Sequence, residues 1–102
     1  MGETRTAGGA VAISRLRLQC LALVDADCVR PEDGSMLLAA LDGALLDLAA
    51  GDLPAARAGM ARFIAAAQRL MEAGFLAPQE GRQPLAAARA LLDTLREPVP
   101  RG

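Results

Sequence analysis

The chain has 102 residues, of which 53% are hydrophobic and only 2% aromatic, and its formal net charge is −1. A chain of this length buries one modest core, so residues 1–102 are expected to form a single domain. The charge balance leaves no excess of cations for phosphates, which argues against nucleic acid as a partner. All eleven basic residues are Arg, a usage that with abundant Ala, Gly and Pro indicates a GC-rich bacterial source.

Neither an export signal nor a membrane span is indicated. Arg15 and Arg17 interrupt the stretch that would have to form the apolar core of a signal peptide. Uninterrupted apolar runs are far shorter than the roughly 20 residues that cross a bilayer. We therefore expect a cytoplasmic protein with no membrane insertion.

Two amphipathic helices are predicted in the first half of the chain, at about residues 11–27 and 31–50. The first carries a helical stripe of Ile13, Leu16, Cys20, Leu23 and Val24. Pro31 suits the first turn of the second helix, and Gly51 can take the left-handed conformation that ends it. Residues 1–10 are expected to be a tail.

Two further helices are predicted at about residues 53–73 and 79–96. Asp52 can cap the third helix, and Gly74 supplies its end. The third helix has the clearest amphipathic pattern, and the fourth ends before Pro98, which cannot continue it. Residues 98–102 are expected to be a second tail.

An internal repeat links the two halves. Residues 23–34 match residues 70–81 at an offset of 47, with Pro31 and Gly34 aligned to Pro78 and Gly81. These turn residues are not explained by a shared bias toward Ala and Leu. We therefore predict an all-α fold, an antiparallel four-helix bundle built from two related helical hairpins, with both Pro-Gly turns at one end.

A group of residues between Leu37 and Leu95 points to a known family. They are the Leu-rich second helix, Gly51-Asp52 with Ala55-Ala56, Phe63-Ile64, Gly74, and Gly81 followed by Leu85-Ala-Ala-Ala88. In these features the chain resembles the FIMAH-type helical domain that is often appended to secreted bacterial enzymes. The resemblance implies a compact accessory module with no catalytic residues to carry over, and it leaves an extracellular setting open. Pro84 departs from the aliphatic residue that the family pattern favours.

The residue types needed for catalysis and metal binding are scarce. The chain has no His, Lys, Tyr or Trp, so the usual general base, the Schiff-base amine and most metal sites are missing. Cys20 and Cys28 are two thiols alone, which do not complete a zinc site, and both are expected to be core residues. We predict no enzyme activity, no cofactor and no metal.

One surface is predicted to bind a partner. It lies opposite the leucine stripe of the second helix and includes a residue of the first: Leu18, Met36, Ala39, Ala40, Gly43, Leu46 and Ala50. Small residues let another helix approach closely. The alternative is that the second helix is buried on both sides within its own bundle.

These observations favour a non-catalytic interaction module, an accessory or scaffold subunit. It would dock on a larger bacterial protein or associate with a copy of itself. The alternative function is a binder of an apolar small molecule held in the bundle core.

Overall fold

The bundle was analysed in a computed structural model, which describes the backbone of residues 2–95 and the side chains of residues 8–95. Within residues 2–95 it contains four helices and no strand: α1 (Gly2–Asp25), α2 (Pro31–Ala49), α3 (Leu53–Ala73) and α4 (Pro78–Thr94). Helices α1 and α3 each pack on both α2 and α4. Short connections between packed neighbours make them antiparallel, so the predicted all-α four-helix bundle is confirmed. No helix in this part of the chain is long and apolar enough to cross a membrane.

Helix α1 starts much earlier than the sequence pattern predicts. The sequence predicts residues 1–10 as a tail, but the chain is helical from Gly2. The reason is tertiary packing at Gly9, where an added Cβ would lie 3.1 Å from Leu48 Cδ1 and 3.5 Å from Leu95 Cδ2. A glycine inside a helix costs about 1 kcal/mol relative to Ala, and these contacts with α2 and the end of α4 offset that cost.

The remaining helix ends follow the predicted caps closely. Helix α3 starts after Asp52, whose side chain accepts a hydrogen bond from the Ala55 backbone N at 3.1 Å. It ends at Gly74, which has a φ of 84°. Helices α2 and α4 both begin with a Pro in their first turn. Residue 96 and the predicted tail at 98–102 lie outside the described residues.

The two turns between paired helices have the same backbone geometry. Asp27 and Gly74, which are 47 residues apart, both take a positive φ, of 61° and 84°. The following N–H groups close the turn with hydrogen bonds of 2.8 Å in each copy, from Cys28 to the Leu23 carbonyl and from Phe75 to the Leu70 carbonyl. The sequence repeat is therefore also a repeat of structure.

The glycine that follows each turn has equivalent neighbours. A Cβ added to Gly34 would collide with Val24, and one added to Gly81 would lie 2.8 Å from Met71 Sδ. Both turns also lie at the same end of the bundle, since the Arg30 guanidinium stacks 3.8 Å from the centroid of the Phe75 ring. This confirms the predicted placement of the two Pro-Gly turns.

Core positions also recur at the offset of 47. No member of the following pairs is more than 2% exposed: Ile13 and Met60, Leu16 and Phe63, Cys20 and Ala67, Leu41 and Ala88, Leu48 and Leu95. The two hairpins thus contribute equivalent positions to one core. Each exposed position from Gly8 to Leu48 therefore has a counterpart among residues 55–95 with which it can be compared.

Candidate interaction surface

The outer face of α1 and α2 exposes several large apolar side chains. Leu46 is 72% exposed and Leu18 is 66% exposed. We call this surface the α1/α2 outer face and define it by Val11, Leu18, Leu21, Met36, Leu46, Ala39, Gly43 and Ala50, all of which are exposed. Contiguous apolar surface of this kind on a small protein is a mark of an interaction site.

The spacing of these residues explains why they share one face. On α2 they recur at three- and four-residue intervals from Met36 to Ala50, on the side of the helix opposite Leu37, Leu41 and Leu48. Those three leucines are buried in the core. An amphipathic helix needs only one apolar side to fold, so the second apolar side of α2 is not required by its own bundle.

The structure separates the predicted partner-binding residues into two groups. Six of them, including Leu18 and Leu46, lie on the exposed face. Ala40 does not belong with them, because it is half-buried and packs against the core. Ala40 lies three residues after Leu37 and four before Ala44, so the helix places it beside these two buried residues. Leu21 also belongs to the face, as expected from its position with Leu18 off the main stripe of the first helix. Val11 belongs to the face although it is not in the predicted set, and its spacing of seven residues from Leu18 is the signal that identifies it.

The surroundings of Gly43 show that no other part of the bundle covers this side of α2. A Cβ added to Gly43 would meet no atom within 4 Å. By contrast, a Cβ added to Gly59 on α3 would lie 3.1 Å from the Cβ of Ala44, where α2 and α3 pack closely. The alternative that α2 is buried on both sides of its own bundle is therefore wrong.

One ion pair crosses the α1/α2 outer face. Arg17 Nε lies 2.7 Å from Asp42 Oδ1, and both side chains are half-exposed. An exposed pair of this kind contributes at most about 1 kcal/mol to stability. It joins α1 to α2 in their antiparallel register and leaves this part of the face without net charge.

The second hairpin has a different surface at the equivalent positions. Where the first hairpin exposes Leu18, Leu21, Met36 and Leu46, the second has Ala65, Gln68, Gln83 and Asp93. These counterparts are small or polar although the backbone geometry and the buried positions are shared. The bundle can therefore be built without large apolar residues at these sites.

The cysteines differ in their environment. Cys20 is buried, as predicted, and burial raises the pKa of its thiol to about 11. Cys28 is only half-buried, with Sγ 3.8 Å from the Ala26 carbonyl oxygen, so its prediction as a core residue is wrong. It lies in the turn rather than on a helix, and its counterpart Phe75 is exposed as well. Among the described residues, no group of His, Cys, Asp or Glu is placed to hold a metal ion.

A groove of about 580 Å³ runs along the surface between α1 and α4. Its lining includes Gly8, Gly9, Ala12, Leu16, Ala87 and Ala90. At the equivalent place in the other half, Gly59 and Ala44 bring α3 and α2 into close contact. The corresponding residues here are Ala12 and Leu91, which have larger side chains and both line the groove. The groove is a surface feature and lies outside the packed core.

Comparisons with known proteins found no relative. No family model, no curated protein and no solved structure matches the chain. The resemblance to the FIMAH-type domain stays a prediction that rests on the residues quoted for it.

Proposed function

We propose that the chain is a non-catalytic interaction module, an accessory or scaffold subunit that binds another protein through the α1/α2 outer face. The observation that carries this proposal is the difference between the two hairpins at equivalent exposed positions. Leu46 and Asp93 occupy the same place in the repeat, yet one is a large apolar residue and the other is charged. If the fold required a large apolar residue at this position of the repeat, both hairpins would have one.

The energetics of burial support the same proposal. Burying a leucine side chain contributes about 1.5–3 kcal/mol relative to leaving it in water. Leu46 and Leu18 leave most of that contribution unused in the isolated chain, because both are mainly exposed. A partner that covers these residues would gain it on binding. The small residues Ala39 and Gly43 between them allow a helix to approach closely.

A single substitution and a matched control test the proposal. Leu46→Asp introduces the residue type of its counterpart and places a charge in the centre of the surface. Ala86→Asp introduces the same carboxylate on α4, at the counterpart of Ala39, where the side chain is also exposed. Both variants should keep the helical circular dichroism spectrum and the melting temperature of the wild type to within a few degrees.

Binding is measured by immobilising each variant and quantifying the proteins it retains by mass spectrometry. We expect a partner that is retained by the wild type and by Ala86→Asp and reduced at least about tenfold by Leu46→Asp, since a lost leucine contact is worth more than 1.4 kcal/mol. Equal retention by all three proteins would refute the proposal.

A second candidate function concerns the groove between α1 and α4. Its volume lies within the range of about 300–1,000 Å³ that is usual for small-molecule sites. Gln19, which lines it, has a buried side-chain oxygen with no hydrogen-bond partner, which suits an apolar ligand that carries one donor. Ala90→Leu should narrow the groove and remove any ligand-induced rise in melting temperature. A rise that survives this substitution would count against the groove as the site.

A further inference from the structure

We infer that the partner covering the α1/α2 outer face is a second copy of the chain, bound in an antiparallel two-fold arrangement centred on Gly43. This inference rests on the proposed function, because it names the occupant of the same surface. Most homo-oligomers have two-fold symmetry, in which one patch meets an identical patch. Such a patch must be complementary to itself.

The exposed side of α2 has this self-complementarity. When the helix is reversed about Gly43, a residue three positions after the centre lies opposite one three positions before it. Leu46 then lies within one residue, about 1.5 Å along the helix, of Ala39 of the other copy, and Met36 faces Ala50. Each large side chain meets a small one at both pairs, so two copies fit without large residues colliding. Gly43 lies on the axis, where a bare backbone lets the two helices come close.

Helix α1 extends the same match. An axis in the plane of the face keeps α1 of one copy above α1 of the other. Contacts of Gly9 with Leu48 and of Arg17 with Asp42 set the register between α1 and α2, and they place residues 14–16, centred on Arg15, at the level of Gly43. Reversal about Arg15 brings Val11 of one copy to within one residue of the level of Leu18 of the other. Apolar side chains of both helices are therefore covered together.

The charge that opposes the arrangement is that of Arg15, which is exposed at the level of the axis in both copies. Arg17 and Asp42 neutralise one another within each copy. Asp47 lies beside the face, and in the dimer the two Asp47 carboxylates are offset by eight residues along α2, about 12 Å. This separation exceeds the Debye length of about 8 Å at physiological ionic strength, so their repulsion is screened.

The area of the surface also suits a second copy. Its five large apolar side chains are between 43% and 72% exposed. With about 160 Å² for a residue of this size in an extended chain, they expose about 450 Å². The small residues between them bring the face to roughly 600 Å² per copy, or about 1,200 Å² for the pair, which is the lower end of the range for specific interfaces. An interface at the lower end of this range is typical of a weak dimer, so we expect the association to depend on protein concentration.

The oligomeric state is the first test. Light scattering coupled to size exclusion, run on the full chain over a range of concentrations, should approach twice the mass of the 10.5 kDa chain. Gly43→Leu places bulk on the axis and should weaken dimerisation at least about tenfold. Ala86→Leu is the control, because Ala86 is the exposed counterpart of Ala39 on α4. It should leave the dimer intact.

Cross-linking tests the position of the axis. In a Cys28→Ser background, two Gly43→Cys side chains on the two-fold axis lie within reach of a disulfide, which needs Cα atoms no more than about 7 Å apart. We expect Gly43→Cys to form a covalent dimer under mild oxidation much faster than Ala90→Cys does. Equal rates would overturn the proposed axis.

The two proposals fail in different ways. A wild-type chain that stays monomeric at every concentration overturns the dimer. If Leu46→Asp still loses a retained protein in that case, the α1/α2 outer face binds a different partner and the proposed function stands. If neither association nor retention depends on Leu46, both proposals are wrong.

Discussion

Replacing Gly34 with Ala tests how closely α1 and α2 approach at their turn. A Cβ at this position collides with Val24 Cγ2, and Val29 Cγ1 lies 4.0 Å away on another side. Valine has one strongly preferred rotamer in a helix, so Val24 cannot turn aside without strain. The clash must therefore be relieved by moving the two helices apart.

The change in the free energy of unfolding of Gly34→Ala is the sum of two opposing contributions. Overpacking of a tight contact costs typically 1–3 kcal/mol, while Ala in place of Gly in a helix gains about 0.5–1 kcal/mol. The free energy of unfolding of Gly34→Ala should therefore be about 1–2 kcal/mol lower than that of the wild type. In a domain this size, each kcal/mol lowers the melting temperature by roughly 4–8 °C. Gly81→Ala should lower the free energy of unfolding less than Gly34→Ala, because the nearest atom is the sulfur of the flexible Met71 side chain, and Leu76 Cδ2 and Cγ would lie at 3.0 and 3.2 Å.

Thermal and urea unfolding followed by circular dichroism measure both variants. Val24→Ala in the Gly34→Ala background provides the rescue, since it removes the methyl groups that collide, and the double-mutant cycle should show a favourable coupling. A Gly34→Ala variant that melts above the wild type would refute the close approach of α1 and α2 at this turn.

Three further predictions concern the turns and the thiols. Asp27→Gly should raise the free energy of unfolding by up to about 1 kcal/mol, and Gly74→Ala should lower it by about 1–2 kcal/mol, because both positions have a left-handed backbone. A thiol reagent should label Cys28 in the native state and Cys20 only on unfolding, as peptide mass spectrometry would show. The free energy of unfolding should also fall as pH rises through the window from about 9 to 11, because the unfolded Cys20 thiol loses its proton near its ordinary pKa of 9.0 while the folded one keeps it to about 11. Urea unfolding across that window should show the decrease in the wild type and a smaller one in Cys20→Ala.

The sequence predicts helices α2, α3 and α4 to within two residues at every end that can be compared. Their limits depend on local chemistry that is visible in the sequence: Pro in a first turn, the Asp52 cap and the left-handed Gly74. The repeat is also predictable, since it preserves Pro and Gly at positions where the turn requires them. Capping and turn residues are sufficient to predict a helix end where the local backbone conformation determines that end.

The errors in prediction occur where tertiary packing decides. The sequence predicts a tail at residues 1–10, but Gly9 is small enough to pack against Leu48 and Leu95, and α1 continues through it. Cys28 is correctly aligned with Phe75, yet the assumption that the shared position is buried is wrong for both. Neither outcome can be read from periodicity, because each depends on a neighbour distant in the chain.

A duplicated hairpin provides its own reference for separating folding from function. Positions that agree between the copies, such as Leu48 and Leu95 in the core, are explained by the bundle they build together. A buried position that differs changes the packing locally, as at Gly59 and Ala44, where α2 and α3 pack closely and the counterparts are Ala12 and Leu91. An exposed position that differs is not explained by core packing, and Leu46 is such a position. On this reasoning we propose that the function lies in the first hairpin, on the surface where the repeat is broken.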